Sequence, residues 1–183
     1  MHWLTRFIHT HHGQMDAASA SQTGGLVITS AWRYDVMLWL GNLATGGAWQ
    51  ALREGTADLA QLHAGERVLD VGCGTGTLAL IAKQRVGDQG RVSGVDPSAQ
   101  MIGRARRKAT RRGAVIDFQV GVIEQLAFPD RSFDVVLSSF MMHLLPDELK
   151  RQGLAEIARV LKPGGRLLVV DTRRPEQHDG SSA

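Results

Sequence analysis

From Arg67 to Asp171, short apolar runs alternate with longer stretches in which apolar residues recur every three to four positions. The run at 67–71 ends in glycines and suits a buried parallel strand. Residues 77–86 follow as a helix whose apolar face is supplied by Leu78, Leu80, Ile81 and Val86. A second strand is predicted at 91–95 and a second helix at 98–112, with Met101, Ile102 and Ala105 at helical spacing. Residues 115–120 and 133–138 read as third and fourth strands. Pro146 or Asp147 opens a long helix in which Leu154, Ile157, Ala158 and Leu161 fall at i, i+3, i+4 and i+7. Lys162-Pro163-Gly164-Gly165 stops it, and 166–171 is a fifth strand.

Strands alternating with helices imply right-handed crossovers and a doubly wound α/β fold, a mostly parallel sheet covered on both faces. In such sheets ligands bind beyond the carboxyl ends of the strands. The loops after Val71, Val95, Val120 and Ser138 are therefore the places to look for chemistry. Upstream, residues 1–29 carry four of the seven histidines and a small-residue stretch, and read as a flexible arm. Residues 30–63 hold Trp32, Tyr34, Trp39 and Trp49 and read as one or two helices broken near Gly46-Gly47. The α/β unit is expected over 64–172, and 173–183 as a polar tail.

Composition narrows the class. A chain of 183 residues, 43% hydrophobic and 21% charged, suits one globular domain rather than a disordered or fibrous chain. The single cysteine, Cys73, permits no internal disulfide, so a reducing, cytoplasmic setting is expected. No apolar run approaches the roughly 20 residues needed to span a bilayer. A net charge of +3 is a weak argument for nucleic acid.

The strongest chemical signal is Val68-Leu69-Asp70-Val71-Gly72-Cys73-Gly74-Thr75-Gly76. Glycines at every second position after a strand let the backbone turn sharply and pass close to a ligand. The next helix then presents free N–H groups and a positive dipole end to a negative group. A dinucleotide site would want G-x-G-x-x-G, but Thr77 holds the third position and Gly76 comes one residue early. Asp96, at the end of the second strand and before Pro97-Ser98, is placed to accept both hydroxyls of a ribose. Helix capping competes for that carboxylate, although Ser98 is better placed to cap.

With VSGVDPS, LAFPDRSFDVVLSSFMMHLLP and EIARVLKPGGRLLVVD in order behind VLDVGCGTG, the chain resembles the class I S-adenosylmethionine-dependent methyltransferases. The similarity is greatest to the small-molecule branch that includes the ubiquinone/menaquinone C-methyltransferases, and spans about residues 64–172. Ala31-Trp32-Arg33-Tyr34-Asp35 resembles the family's cofactor-covering helix. The resemblance implies a Rossmann-like sheet of strand order 3-2-1-4-5 and S-adenosylmethionine as cofactor, with S-adenosylhomocysteine as product. It implies that Gly72, Cys73, Gly74, Thr75 and Gly76 pass beneath the methionyl part, with Asp70 ordering the loop or meeting the amino group. Asp96 would bind the ribose, Pro97 and Met101 would pack on the adenine, and Val122, Ile123 and Glu124 would flank its other side. Ser138, Ser139 and Phe140 would line the methyl donor, and Tyr34 would cover the methionine end.

Two departures from the family pattern change the expectation. Many relatives carry an acid that bonds the adenine amino group where this chain has Val122, so that bond falls to Glu124 or is missing. Losing a charged hydrogen bond of about 1.5–3 kcal/mol weakens the cofactor about 10-fold or more. The family sheet also has seven strands, and the residues after Asp171 are not expected to supply the last two. An open fifth strand would then be covered by a homodimer partner or by the N-terminal segment, unless the sequence is part of a longer one.

Methyl transfer from a sulfonium asks mainly for alignment and exclusion of water. A base is needed only where the acceptor loses a proton, and His143, just after the fourth strand, is the candidate catalytic residue. The apolar Phe140-Met141-Met142 loop suits a small apolar or aromatic acceptor and lacks the proline pair of the nucleic-acid amino-methyltransferases. Arg104, Arg106, Arg107, Lys108, Arg111 and Arg112 read as a solvated helix rather than a nucleic-acid surface. His9, His11 and His12 lack acidic or thiol partners, and no metal is expected. A binding module without turnover, and a nicotinamide-dependent oxidoreductase, are the competing readings.

Overall fold

The computed structural model describes residues 30–172, apart from the side chains of Trp32, Tyr34, Leu38 and Asn42. His9, His11 and His12, the arm at 1–29 and the tail at 173–183 lie outside the described residues. The chain begins with α1 (Ala31–Ala44) and α2 (Ala48–Leu59), joined by a turn in which Gly46 and Gly47 both take positive φ. There follow β1 (Arg67–Val71), α3 (Thr77–Val86), β2 (Arg91–Asp96), α4 (Ala99–Arg111), β3 (Asp117–Val120), β4 (Phe133–Ser139), a 3-10 turn (Met142–Leu144), α5 (Asp147–Val160) and β5 (Leu161–Val170).

The five strands form one sheet of order β3-β2-β1-β4-β5, and every pairing is parallel. Alternation along β1 divides the core. Val68 points to the side of α3 and α4, with Ile81, Ile102, Phe118, Val135 and Leu137. Leu69 and Val71 point to the side of α5, with Val136, Ile157 and Val160. Both faces of the central strands are therefore dry, as a parallel sheet requires.

The main differences from the sequence reading lie at the third strand and at the junction of α5 with the fifth. The third strand starts at Asp117, because Gly113 takes positive φ and the chain is still turning after α4. The fifth strand begins at Leu161, which pairs with Phe133 before Val135 pairs with Arg166. The Lys162–Gly165 stretch is thus a bulge within β5 rather than a helix stop, and α5 has already ended at Val160. The 30–63 region resolves into two helices broken where predicted.

Candidate functional site

The carboxyl ends of β1, β2, β3 and β4 converge on a cleft of about 400 Å³, counted to its open mouth. Val71, Gly72, Val95, Pro97, Gly121 to Glu124, Met141, Leu144 and Leu145 line it. The glycine loop is drawn toward β2 because the Gly72 and Cys73 N–H groups both donate to Val95 O, at 2.8 and 3.0 Å. The Met141 side chain stands directly on Gly72, so any Cβ there would fall 2.5 Å from Met141 Cγ. On the far wall, Gly153 of α5 lets Ile123 press against that helix. Arg159 holds the segment beyond it by donating to Leu126 O, Phe128 O and the Asp130 carboxylate.

The three loop glycines have different jobs. All take positive φ, but space for a Cβ exists only at Gly74. A Cβ on Gly76 would meet Phe118 at 2.7 Å and Ala105 at 2.9 Å, so this glycine serves the packing of α4 and β3 against the loop.

Asp70 is buried on β1, and neither of its carboxylate oxygens has a hydrogen-bond partner of ordinary geometry among the described residues. Burial, reinforced by the negative charge of Asp96, raises its pKa to about 7, tempered by the nearby Ala79 N–H and Arg53. Asp96 is held by two backbone donors, Gly74 N–H to Oδ2 and Ser98 N–H to Oδ1, both at 2.9 Å. Burial still raises its pKa to about 6 against those bonds. Ser98 caps α4 by accepting from the Met101 N–H, as expected. Asp96 therefore ties the glycine loop to the helix start.

Of the residues singled out from sequence, Gly72, Pro97, Val122, Ile123 and Glu124 line the cleft, and Glu124 Oε2 is buried there without a partner among the described residues. Cys73 and Met101 are buried away from it; the Cys73 thiol packs in the core, and burial pushes its pKa well up. Ser138 is buried, its hydroxyl without a partner among the described residues, and Ser139 ends β4. Phe140 takes a left-handed φ of 54° and meets the Trp49 ring edge-on at 6.1 Å. That contact ties α2 to the loop after β4. The side chain of Tyr34 lies outside the described residues.

Thr75 turns from the cleft toward α1. Its hydroxyl donates to Asp35 Oδ1 at 2.8 Å, and Lys108 Nζ reaches both Asp35 Oδ1 at 2.6 Å and Thr75 Oγ1 at 2.7 Å. Arg104 Nε completes the cluster at 2.7 Å from Asp35 Oδ2. Burial alone would raise the Asp35 pKa; the bonds from Lys108, Arg104 and Thr75 outweigh it and hold it below the usual carboxylate range. This corrects the reading of the α4 basic residues as a solvated helix. Arg104 and Lys108 are clamps on α1, and Arg106 caps the Phe118 carbonyl.

His143 sits on the 3-10 turn with Nδ1 at 2.6 Å from Asp171 Oδ1, while its backbone N–H donates to Asp171 Oδ2 at 2.9 Å. Sequence reading missed Asp171 as its partner, although an acid closing the last strand was the available signal.

A model of the methyltransferase domain matches residues 68–165, from β1 into the β5 bulge. The chain belongs to the methyltransferase domain family. It is 40% identical over 167 residues to the ubiquinone/menaquinone biosynthesis C-methyltransferase UbiE of Xanthomonas campestris pv. campestris, covering 88% of this chain and 64% of that relative. The chain thus spans somewhat less than two thirds of that relative's length. Among solved structures it is similar to the YcgJ protein of Bacillus subtilis, at 35% identity and a TM-score of 0.63, over 69% of this chain and 53% of that one. A SAM-dependent methyltransferase from Aquifex aeolicus shares 28% identity with a TM-score of 0.62, over 70% and 68% of the two chains.

Proposed function

We propose that this methyltransferase domain binds S-adenosylmethionine and directs its methyl group to a small apolar or aromatic acceptor. The observation that carries the reading is the cleft at the strand ends, with the unpartnered, buried Glu124 oxygen in its wall and the unpartnered Asp70 carboxylate on the strand beneath the loop. Buried carboxylates without partners call for a donor or cation that the described residues do not supply. S-adenosylmethionine carries an ammonium, a sulfonium, a ribose diol and an adenine amine, so its chemistry fits this set of acceptors.

When bound, the cofactor supplies a sulfonium methyl, an electrophile that needs no activation by the protein. Asp70 and Asp96 provide negative field for the cationic end, and Asp96 keeps lone pairs beyond those met by Gly74 and Ser98 for ribose hydroxyls. Glu124 stands in for the acid missing at Val122. Pro97, Val122 and Ile123 offer an apolar slot for the adenine. Gly74 leaves its face open to close approach. Gly72, Cys73, Thr75 and Gly76 shape the loop, Met101 supports the Pro97 side from the core, and Ser138, Ser139 and Phe140 set the loop facing the donor. Tyr34 covers the methionine end in this reading.

An aromatic acceptor is supported by similarity to a relative named for ubiquinone/menaquinone biosynthesis. Methylation at carbon would form a C–C bond as the methyl–sulfur bond breaks, leaving S-adenosylhomocysteine, and would release a proton from that carbon. His143, oriented through Nδ1 by Asp171, is the proposed base for that proton. The buried Cys73 thiol suits a reducing compartment such as the cytoplasm. No helix among the described residues is long and apolar enough to cross a membrane. The homodimer reading rests on β5, which has no strand on its outer side among the described residues and leaves Leu167 and Val169 exposed.

Calorimetric titration of S-adenosylmethionine and S-adenosylhomocysteine tests the reading, followed by a screen of quinol-like acceptors for methyl incorporation. Micromolar binding is expected. Absence of binding at millimolar ligand, by a chain that melts cooperatively, overturns it.

A further inference from the structure

Helix α1 is apolar on almost every side, a pattern that ordinarily belongs to a buried helix. Its inner side is used: Ala31 is buried, and Asp35 is gripped by Thr75, Arg104 and Lys108. Its outer side is not used by any of the described residues. Val36, Trp39, Leu40 and Leu43 fall at i, i+3, i+4 and i+7 and are 44%, 64%, 51% and 68% exposed. They make one continuous apolar stripe on the solvent side of the helix.

The neighbouring α4 carries a stripe of the opposite kind. Arg104, Arg107, Lys108 and Arg111 also fall at i, i+3, i+4 and i+7, so they share one side. Arg104 and Lys108 bond Asp35, which fixes that side as the one beside α1. Arg107 and Arg111 are exposed along the same side. The sole carboxylate on either helix is Asp35, and it is consumed in the clamp between them. An apolar ridge with a tryptophan therefore runs alongside a basic ridge, with no exposed acid on either helix.

We propose that α1 and α4 together form a docking surface for an anionic lipid bilayer. The Val36–Trp39–Leu40–Leu43 stripe enters the headgroup and acyl boundary, while Arg107 and Arg111 meet lipid phosphates. Affinity for such an interface is set by buried apolar area, which α1 supplies, and by attraction to anionic headgroups, which the basic side of α4 supplies. Charge complementarity selects lipid over the alternatives: a second copy would bring its own basic α4 against this one. The inference does not depend on methyl transfer and is read without cofactor or acceptor.

The experiment is co-sedimentation of the full chain with vesicles of phosphatidylglycerol mixed with phosphatidylcholine, and with vesicles of phosphatidylcholine alone. Binding to the mixed vesicles is expected, about 10-fold or more tighter than to the neutral ones and weakened by salt. Trp39→Ser with Leu43→Ser should cut that binding about 10-fold or more. Arg107→Gln with Arg111→Gln should abolish the preference for phosphatidylglycerol. These side chains are exposed, so thermal melting should stay within a few degrees of the parent and separate lost docking from lost folding. Failure of the full chain to bind either vesicle overturns the proposal, as does binding indifferent to both double variants. Light scattering in the absence of lipid gives the remaining outcome. A dimer that the Trp39 and Leu43 substitutions convert to monomer would make the stripe a contact between copies and overturn lipid docking.

Discussion

Asp35 and Thr75, forty positions apart, are joined by a 2.8 Å hydrogen bond that fastens the first helix to the glycine loop. Both groups are largely shielded from water, and Lys108 bridges them. Replacing Asp35 by Asn keeps the shape but removes the charge that Lys108 and Arg104 face. Two charge-assisted bonds are weakened, a loss of about 2 kcal/mol. For a chain of this size that lowers Tm by about 4–8 °C, and cofactor affinity should fall as the loop loosens. The Asp35 pKa is depressed, so its contribution is present above the unfolded value near 3.8 and disappears as pH drops through the lower folded value. A parent Tm advantage over Asp35→Asn that persists at neutral pH and vanishes in strong acid would bear this out. Equal Tm at neutral pH would refute it.

Asp70 works in the opposite sense. Its folded pKa of about 7 exceeds the unfolded value of 3.8, so the folded state holds the extra proton across the interval between them. The ligand-free protein is therefore more stable near pH 5 than near pH 8, and Asp96, raised to about 6, adds to the same slope. Asp70→Asn should flatten much of that dependence and raise the Tm at pH 8. A cationic ligand reverses the preference by favouring the ionised carboxylates. Binding of S-adenosylmethionine should tighten from pH 6 to pH 8 and release protons, read by calorimetry in buffers of different ionisation enthalpy. Affinity flat across that range would remove the two carboxylates from the cationic end.

Gly74 and Gly76 give a contrast within one loop. Both take positive φ, which disfavours any L side chain by about 1–2 kcal/mol. Only at Gly76 does a Cβ also collide with Phe118 and Ala105, adding about 1–3 kcal/mol of overpacking. Gly76→Ala should therefore lose stability markedly more than Gly74→Ala in chemical denaturation. Gly74→Ala should instead lose cofactor affinity while remaining folded. Equal destabilisation would mean that the α4 and β3 contacts do not constrain the loop.

The difference between these two glycines marks where sequence reading stops. Each strand's apolar pattern and its closing turn are local, so they suffice for a parallel sheet; the order 3-2-1-4-5 comes only with the family resemblance that VLDVGCGTG, VSGVDPS and the β4 run carry. Which glycine faces open space is a tertiary fact, decided by Phe118 from another strand. The same limit hid Asp171, which meets His143 across 28 positions, and the Asp35 clamp, whose Lys108 lies 73 positions away. Charge in α4 is visible in the sequence, but its partner Asp35 lies in a helix that the sequence reads as a cover for the cofactor rather than as a partner of α4. The β5 bulge was misread for a related reason. Pro163 and two glycines signal a break, yet the strand resumes its pairing with β4 on either side of them.

Asp96 stands where the loop, helix start and proposed ribose site meet. Asp96→Ala removes acceptors from the Gly74 and Ser98 N–H groups and from the ligand hydroxyls. Charged hydrogen bonds of about 1.5–3 kcal/mol predict a 10- to 100-fold rise in the S-adenosylmethionine Kd. An unchanged Kd would exclude Asp96 from the ribose site.

The His143–Asp171 pair makes a final prediction about turnover rather than binding. With Nδ1 held by the carboxylate at 2.6 Å, the ring is fixed in orientation, and the tautomer that presents Nε2 as acceptor is favoured. Asp171→Asn should lower kcat with a confirmed acceptor while leaving the cofactor Kd within about twofold, since the pair lies outside the cleft lining apart from its neighbours Leu144 and Leu145. General-base contributions of about 100-fold or more set the scale for His143→Ala, and the Asp171 effect should be a part of it. Asp171→Glu, which restores the charge one methylene further out, should recover some kcat if orientation is what Asp171 provides. A purely structural role would instead lower Tm and shift KM and kcat together, with no recovery from glutamate. Unchanged kcat in His143→Ala at saturating acceptor would end the base assignment and leave alignment and exclusion of water as the whole of the protein's contribution.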